Sequence, residues 1–128
     1  MHPNLVPLIA LLAIAQYLVF ASLVGRARGR YGVQAPAVTG DERFERHYRV
    51  QMNTLELMVA FLPALFLAAA HWSTTAAVVC GAVYLVGRTL YALAYVREPR
   101  RRGAGFMLSF VPTVVLLIGA AVGLLRGL

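Results

Sequence analysis

The residues with chemical potential are concentrated in one stretch, Phe44–Glu56, FERHYRVQMNTLE. It places Arg46, Arg49, Gln51, Asn53 and Glu56 in the opening turns of a run that then becomes apolar for a membrane's thickness. Polar side chains are costly in such a place, and a functional site is the default explanation for them. On a helix Arg49, Asn53 and Glu56 fall at i, i+4 and i+7, which is one face. A cation, an amide and a carboxylate on one face suit a small zwitterionic ligand containing amide bonds. The same residues would also serve as a polar seam that pairs with neighbouring helices.

The elements that must position this cluster are helices. The chain has 128 residues, of which 60% are hydrophobic and 13% charged, against roughly a half and a quarter in soluble domains. The apolar residues gather into four runs, each near the ~20 residues a spanning helix needs. The expected architecture is therefore all-α: a single four-helix integral membrane bundle, with helices over about 4–25, 41–71, 76–97 and 104–126. The first run could be a signal peptide, but it lacks a basic n-region and is long, which favours a retained helix. The second helix is longer than a ~30 Å hydrocarbon core requires, so its first turns project from the bilayer or line a wet cavity. Thr39 and Glu42 have the spacing of a capping box at its start. Ser73, Thr74 and Thr75 read as a short capping turn, beside Trp72 at an interface. Pro63 and Pro112 are expected to bend their helices. Gly119 and Gly123 form a GxxxG spacing that permits close helix contact.

In the third helix Tyr84, Arg88, Tyr91 and Tyr95 recur at i, i+4, i+7 and i+11, a polar-aromatic stripe. Arg88 lies within the span and needs a partner. Glu56 is the one acidic residue inside a span, so an Arg88–Glu56 ion pair is expected. Gln16, inside the first run, is expected to face another helix.

The net charge of +7 is carried entirely by arginine. These arginines sit beside membrane segments, where topology and anionic lipid account for them, so nucleic acid is not an expected partner. Both basic connections, Arg26 to Arg49 and Arg97 to Arg102, fall on one side of a four-span topology. The positive-inside rule puts both in the cytosol and both termini outside. The lone Cys80 reads as a packed, inert thiol, and His2, His47 and His71 are scattered, so no metal site is expected.

FERHYRVQMNTLE, VYLVGRTLYALAYVR (Val83–Arg97) and the Thr39–Gly40 pair before them resemble the MAPEG family, the membrane-associated proteins of eicosanoid and glutathione metabolism, and FLPALFLAAA (Phe61–Ala70) resembles its bacterial branch. The resemblance implies a homotrimer of four-helix protomers in a bacterial inner membrane. Glutathione, as co-substrate, would lie between adjacent subunits near the cytosolic face. By position, Arg49, Gln51, Asn53 and Glu56 would contact glutathione, with Arg28 reaching it from the neighbouring subunit and Tyr91 and Tyr95 lining the pocket. Arg102 matches the arginine that lowers the thiol pKa, although Arg100 or Arg101 could take that role across the turn at Pro99. The second substrate would be a lipophilic electrophile or lipid hydroperoxide arriving from the lipid bilayer. One departure is Leu57, where several family members carry a tyrosine that touches glutathione. Two other readings compete: a non-catalytic lipid-binding member of the same family, and a small four-helix drug exporter using Glu56 as a proton-coupled carboxylate.

Overall fold

The computed structural model describes residues 2–128. Four helices follow one another: α1 (Leu5–Tyr31), α2 (Glu42–His71), α3 (Thr74–Arg97) and α4 (Gly103–Arg126), with one turn of 3-10 helix, Pro99–Arg102, leading into α4. All four are long and apolar enough to cross a membrane. The all-α four-helix architecture expected from the apolar runs is the one observed.

The helix ends differ from the expected ones in informative ways. α1 does not stop near residue 25; it continues to Tyr31 and takes Arg26, Arg28 and Arg30 with it. Two helical glycines cost only ~1 kcal/mol each, and the extension is held by Val24 and Ala27, which pack with Val33 and Phe44 in a small core of their own. It ends at Gly32, whose φ of 70° lets its N–H turn back onto the Arg28 carbonyl at 2.9 Å. α2 is capped by Asp41, not Thr39: the Asp41 carboxylate accepts the Arg43 backbone N–H at 2.8 Å. The Arg43 side chain also binds this carboxylate at 2.9 Å and holds its pKa down at about 2. α2 runs unbroken through Pro63, which lies on its exposed side. α3 opens two residues earlier than expected, with the Ser73 hydroxyl accepting from the Ala76 N–H at 3.1 Å.

Apolar burial drives little association inside a bilayer, where close packing of small residues does most of the work. α3 and α4 meet through Gly87, whose missing Cβ makes room for the Leu108–Ser109 backbone, and through Gly105, which lies against the backbone of Leu90 and Tyr91. The GxxxG pair serves the same purpose within the chain: Gly119 receives the Trp72 ring, and Gly123 lies against the His71 carbonyl. The main core, centred on Phe61, Leu65, Tyr84 and Leu116, joins all four helices. Its tightest contact is the Phe61–Tyr84 ring stack, 3.6 Å between centroids. Gln16 faces α3, as expected, donating to the Leu85 carbonyl at 2.9 Å and the Thr89 hydroxyl at 3.0 Å.

Two glycine substitutions should therefore behave oppositely. Gly87→Ala pushes a methyl into the α4 backbone and should cost about 1–3 kcal/mol. Gly25→Ala meets nothing within 4 Å and should gain about 0.5–1 kcal/mol from lower unfolded-chain entropy. Thermal unfolding in detergent compares them directly.

Candidate functional site

Arg88 is the centre of the polar cluster. It is fully buried, and groups on three helices engage it. From α2, Asn53 Oδ1 and Thr54 Oγ1 accept from its Nη1 at 2.8 and 3.3 Å. From α4, Ser109 Oγ accepts from its Nε at 3.1 Å. The Tyr91 ring, on its own helix, lies 4.2 Å from the guanidinium carbon, a cation–π contact. Its Nη2 has no partner among the described residues, and neither does the hydroxyl of Tyr84, one turn earlier.

This corrects the expected Arg88–Glu56 ion pair. Glu56 lies on the exposed side of α2, 61% accessible, and its nearest cation is Arg49 at 3.6 Å. The physical reason is that a second buried charge would have to be stripped of water too. Neutral acceptors on two helices, α2 and α4, bind the guanidinium without that cost. Thr54 and Ser109 were not among the expected site residues. Ser109 could have been picked out as a hydroxyl inside the apolar run of α4, and Thr54 by its place next to Asn53.

Tyr91 carries the cluster outward. Its ring lies 5.5 Å from that of Tyr95, and the Arg102 guanidinium carbon lies 6.0 Å from the Tyr95 ring. Arg102 donates to the Pro99 carbonyl at 3.0 Å. Arg100 and Arg101 both pair with Glu98, at 3.5 and 3.0 Å. Of the three, Arg102 alone has no carboxylate partner among the described residues, and it is the one directed at the tyrosines.

The other expected site residues face elsewhere. Gln51 Nε2 donates to the Tyr17 hydroxyl of α1 at 3.3 Å. Arg28 donates to the Ala37 carbonyl at 2.6 Å and lies 4.8 Å from the Phe44 ring centroid. Phe44 and Gln51 are seven residues apart and share the α1 side of α2. Within one chain, Arg49, Asn53, Glu56, Arg88, Tyr91, Tyr95 and Arg102 thus form one group, and Arg28 and Gln51 sit on another face. Leu57, half-buried, packs against the main core. Arg46 braces the whole end: it donates to the Val96 and Arg97 carbonyls at 3.2 Å each and pairs with Glu42 at 2.6 Å. It thereby satisfies the last carbonyls of α3 and fixes the turn that bears Arg102.

These features define a four-helix membrane protein with an arginine- and tyrosine-rich polar cluster at one end of the bundle. Residues 6–122 match the MAPEG family. Human microsomal glutathione S-transferase 2 is 36% identical over 116 residues, which cover 91% of this chain and 79% of that protein. Guinea-pig (Cavia porcellus) leukotriene C4 synthase is 37% identical over 117 residues, 91% of this chain and 78% of that one. An uncharacterized protein of the bacterium Synechocystis sp. is 48% identical over 118 residues, 92% and 86% of the two chains. The chain belongs to the MAPEG family and is an integral membrane protein.

The buried cluster makes a stability test possible. Asn53→Leu removes the closest acceptor of a buried cation and should cost about 1–3 kcal/mol. Glu56→Gln, which an Arg88–Glu56 pair would make comparably damaging, should change stability by less than about 0.5 kcal/mol. Denaturant unfolding of the purified protein separates the two.

Proposed function

We propose that this protein is a membrane-bound glutathione transferase or peroxidase. It activates the glutathione thiolate against lipophilic electrophiles or lipid hydroperoxides. One observation carries the reading: Arg102, with no carboxylate partner among the described residues, lies 6.0 Å from the Tyr95 ring at the end of a chain of aromatic and cation–π contacts that runs through Tyr91 to Arg88 and its hydrogen bond with Asn53. The relatives named as glutathione S-transferases and leukotriene C4 synthases support it.

Glutathione has two carboxylates, an ammonium, two amides and a thiol. Arg49 and Arg28 grip the carboxylates in charge-assisted bonds. Glu56 takes the ammonium. Asn53 has its carbonyl oxygen committed to Arg88, so it offers the ligand N–H donors and suits a carbonyl or carboxylate. Gln51 has its amide nitrogen committed to Tyr17, so its free oxygen suits a peptide N–H. Tyr91 and Tyr95 wall the pocket.

Arg28 and Gln51 lie on a different face from the rest, so a tripeptide touching both groups must bridge two subunits. This supports the homotrimer, with its sites between protomers. The positive-inside rule supports a cytosolic site, extracytoplasmic termini and a bacterial inner-membrane location.

The thiol of glutathione ionises at about 8.5 in water. A guanidinium beside the sulfur favours the anion by direct charge attraction. The thiolate then forms a bond to an electrophilic carbon as the leaving group departs with its electron pair. With a hydroperoxide it attacks the distal oxygen, the O–O bond breaks, and a second glutathione converts the sulfenic acid to disulfide and water. The protein joins a water-soluble nucleophile to a bilayer-dissolved acceptor, which is catalysis by proximity. The exporter reading has no support in the geometry, because its supposed free carboxylate, Glu56, lies beside Arg49.

Glutathione binding and conjugation of an aryl halide by the purified protein test the proposal. Binding without turnover would make it a non-catalytic family member. Arg102→Ala should reduce turnover far more than affinity. Loss of a two-unit pKa shift would remove about 2.7 kcal/mol of thiolate stabilisation, visible as a missing thiolate absorbance in stopped flow. Glu56→Gln should weaken glutathione binding by about 10- to 100-fold, the equivalent of one charge-assisted hydrogen bond. Its affinity for a des-amino analogue should match that of the wild type.

A further inference from the structure

An open groove lies on the other side of α1 from Arg28 and shares no residue with the proposed glutathione site. Phe20 and Leu23 of α1, Val50 of α2 and Ala92 and Val96 of α3 line an apolar groove of about 210 Å³. At Leu23 and His47 it continues into a second hollow of about 170 Å³, bordered by Arg26, Arg30 and Tyr31. Arg97 closes the α3 side. The groove thus changes along the helix axes from hydrocarbon to guanidinium, in the direction that a lipid leaflet changes from chain to headgroup. It is open at the surface, since Leu23 and Leu93 on its rims are both exposed.

The charge at its head is unspent. Among the described residues the side chains of Arg26, Arg30 and Arg97 bond to no carboxylate and no carbonyl, and Arg30 has only the Tyr31 ring beside it. The nearby acids are already engaged: Glu42 by Arg46, Glu45 by the Gly40 N–H and Glu98 by Arg100 and Arg101. Arg26 and Arg30 are four residues apart on one helical face, set to grip a single tetrahedral anion from two directions. The apolar part is smaller than the ~300–1,000 Å³ of compact ligand pockets. It suits a length of one acyl chain whose remainder stays in the bilayer.

We propose that this groove is a binding site for an anionic glycerophospholipid of the leaflet at the basic end, with its phosphodiester held by Arg26, Arg30 and Arg97 and one acyl chain laid between α1 and α3. The site is independent of the glutathione reading.

Native mass spectrometry of the full-length protein in detergent, with equimolar dioleoyl phosphatidylglycerol and phosphatidylcholine, tests it. The wild type should retain phosphatidylglycerol in preference. Arg26→Gln and Arg30→Gln should each lower that retention about fivefold, the equivalent of the ~1 kcal/mol a basic residue contributes beside anionic lipid. Ala92→Trp should block the slot and abolish it. The single variant Arg100→Gln removes as much charge from the same end but none from the groove, leaves Glu98 paired with Arg101, and should leave retention unchanged. Equal retention of the two lipids by the wild type would overturn the site, and so would a loss in Arg100→Gln equal to that in Arg26→Gln or Arg30→Gln. Displacement of phosphatidylglycerol by equimolar oleate would overturn the phosphodiester assignment. The arginine variants are at the surface and keep the test open should Ala92→Trp fail to fold.

Discussion

A buried guanidinium held by neutral side chains sets the geometry of this molecule. An unsatisfied charge in that position would cost several kcal/mol, so the helices around Arg88 must deliver acceptors at the right height. Asn53 and Thr54 fix the rotation and depth of α2, Ser109 fixes those of α4, and Tyr91 fixes the face that α3 turns inward. Gly87 and Gly105 let α3 and α4 come close enough for Ser109 to reach. The polar site and the packing of the bundle are therefore one problem with one solution. Changes to either are felt in both.

Much of this was legible in the residues themselves. Four apolar runs imply four spanning helices, and the stripe from Tyr84 to Tyr95 did mark the inward face of α3, with Tyr84, Arg88 and Tyr91 all buried. The resemblance carried by FERHYRVQMNTLE pointed to the family to which the chain belongs. What could not be read was pairing. Charge arithmetic joined the one intramembrane acid to the one intramembrane base, because it considers ions and neglects amides and hydroxyls. A one-turn difference in depth and a few tens of degrees around α2 place Asn53 inward and Glu56 outward, and no periodicity resolves that. The end of α1 departs from the expected one for a related reason. Glycines at 25 and 29 suggest a break, but the tertiary contacts of Val24 and Ala27 outweigh their cost.

The division of polar residues between two sides of α2 bears on assembly. A monomer presents Arg49 and Glu56 half-exposed on an otherwise apolar surface with Val59 and Phe66. In lipid that is an unfavourable arrangement for two charges. A neighbouring protomer covering this stripe, as in the proposed homotrimer, would relieve it and would bring a second set of donors to the same place. The hydrogen bonds that orient Asn53 and Gln51 lie within one chain, so their outward-facing atoms are set before any ligand arrives. Such preorganisation reduces the ordering cost of binding.

The clasp made by Arg46 has a further consequence. Two of its acceptors are helix-end carbonyls and one is an exposed carboxylate. Dissolved ions screen the carboxylate contact but leave the dipolar ones largely untouched. The tether between α2 and the arginine turn is thus resistant to ionic strength, and it holds the end of the bundle that bears Arg102 together while exposed ion pairs come and go.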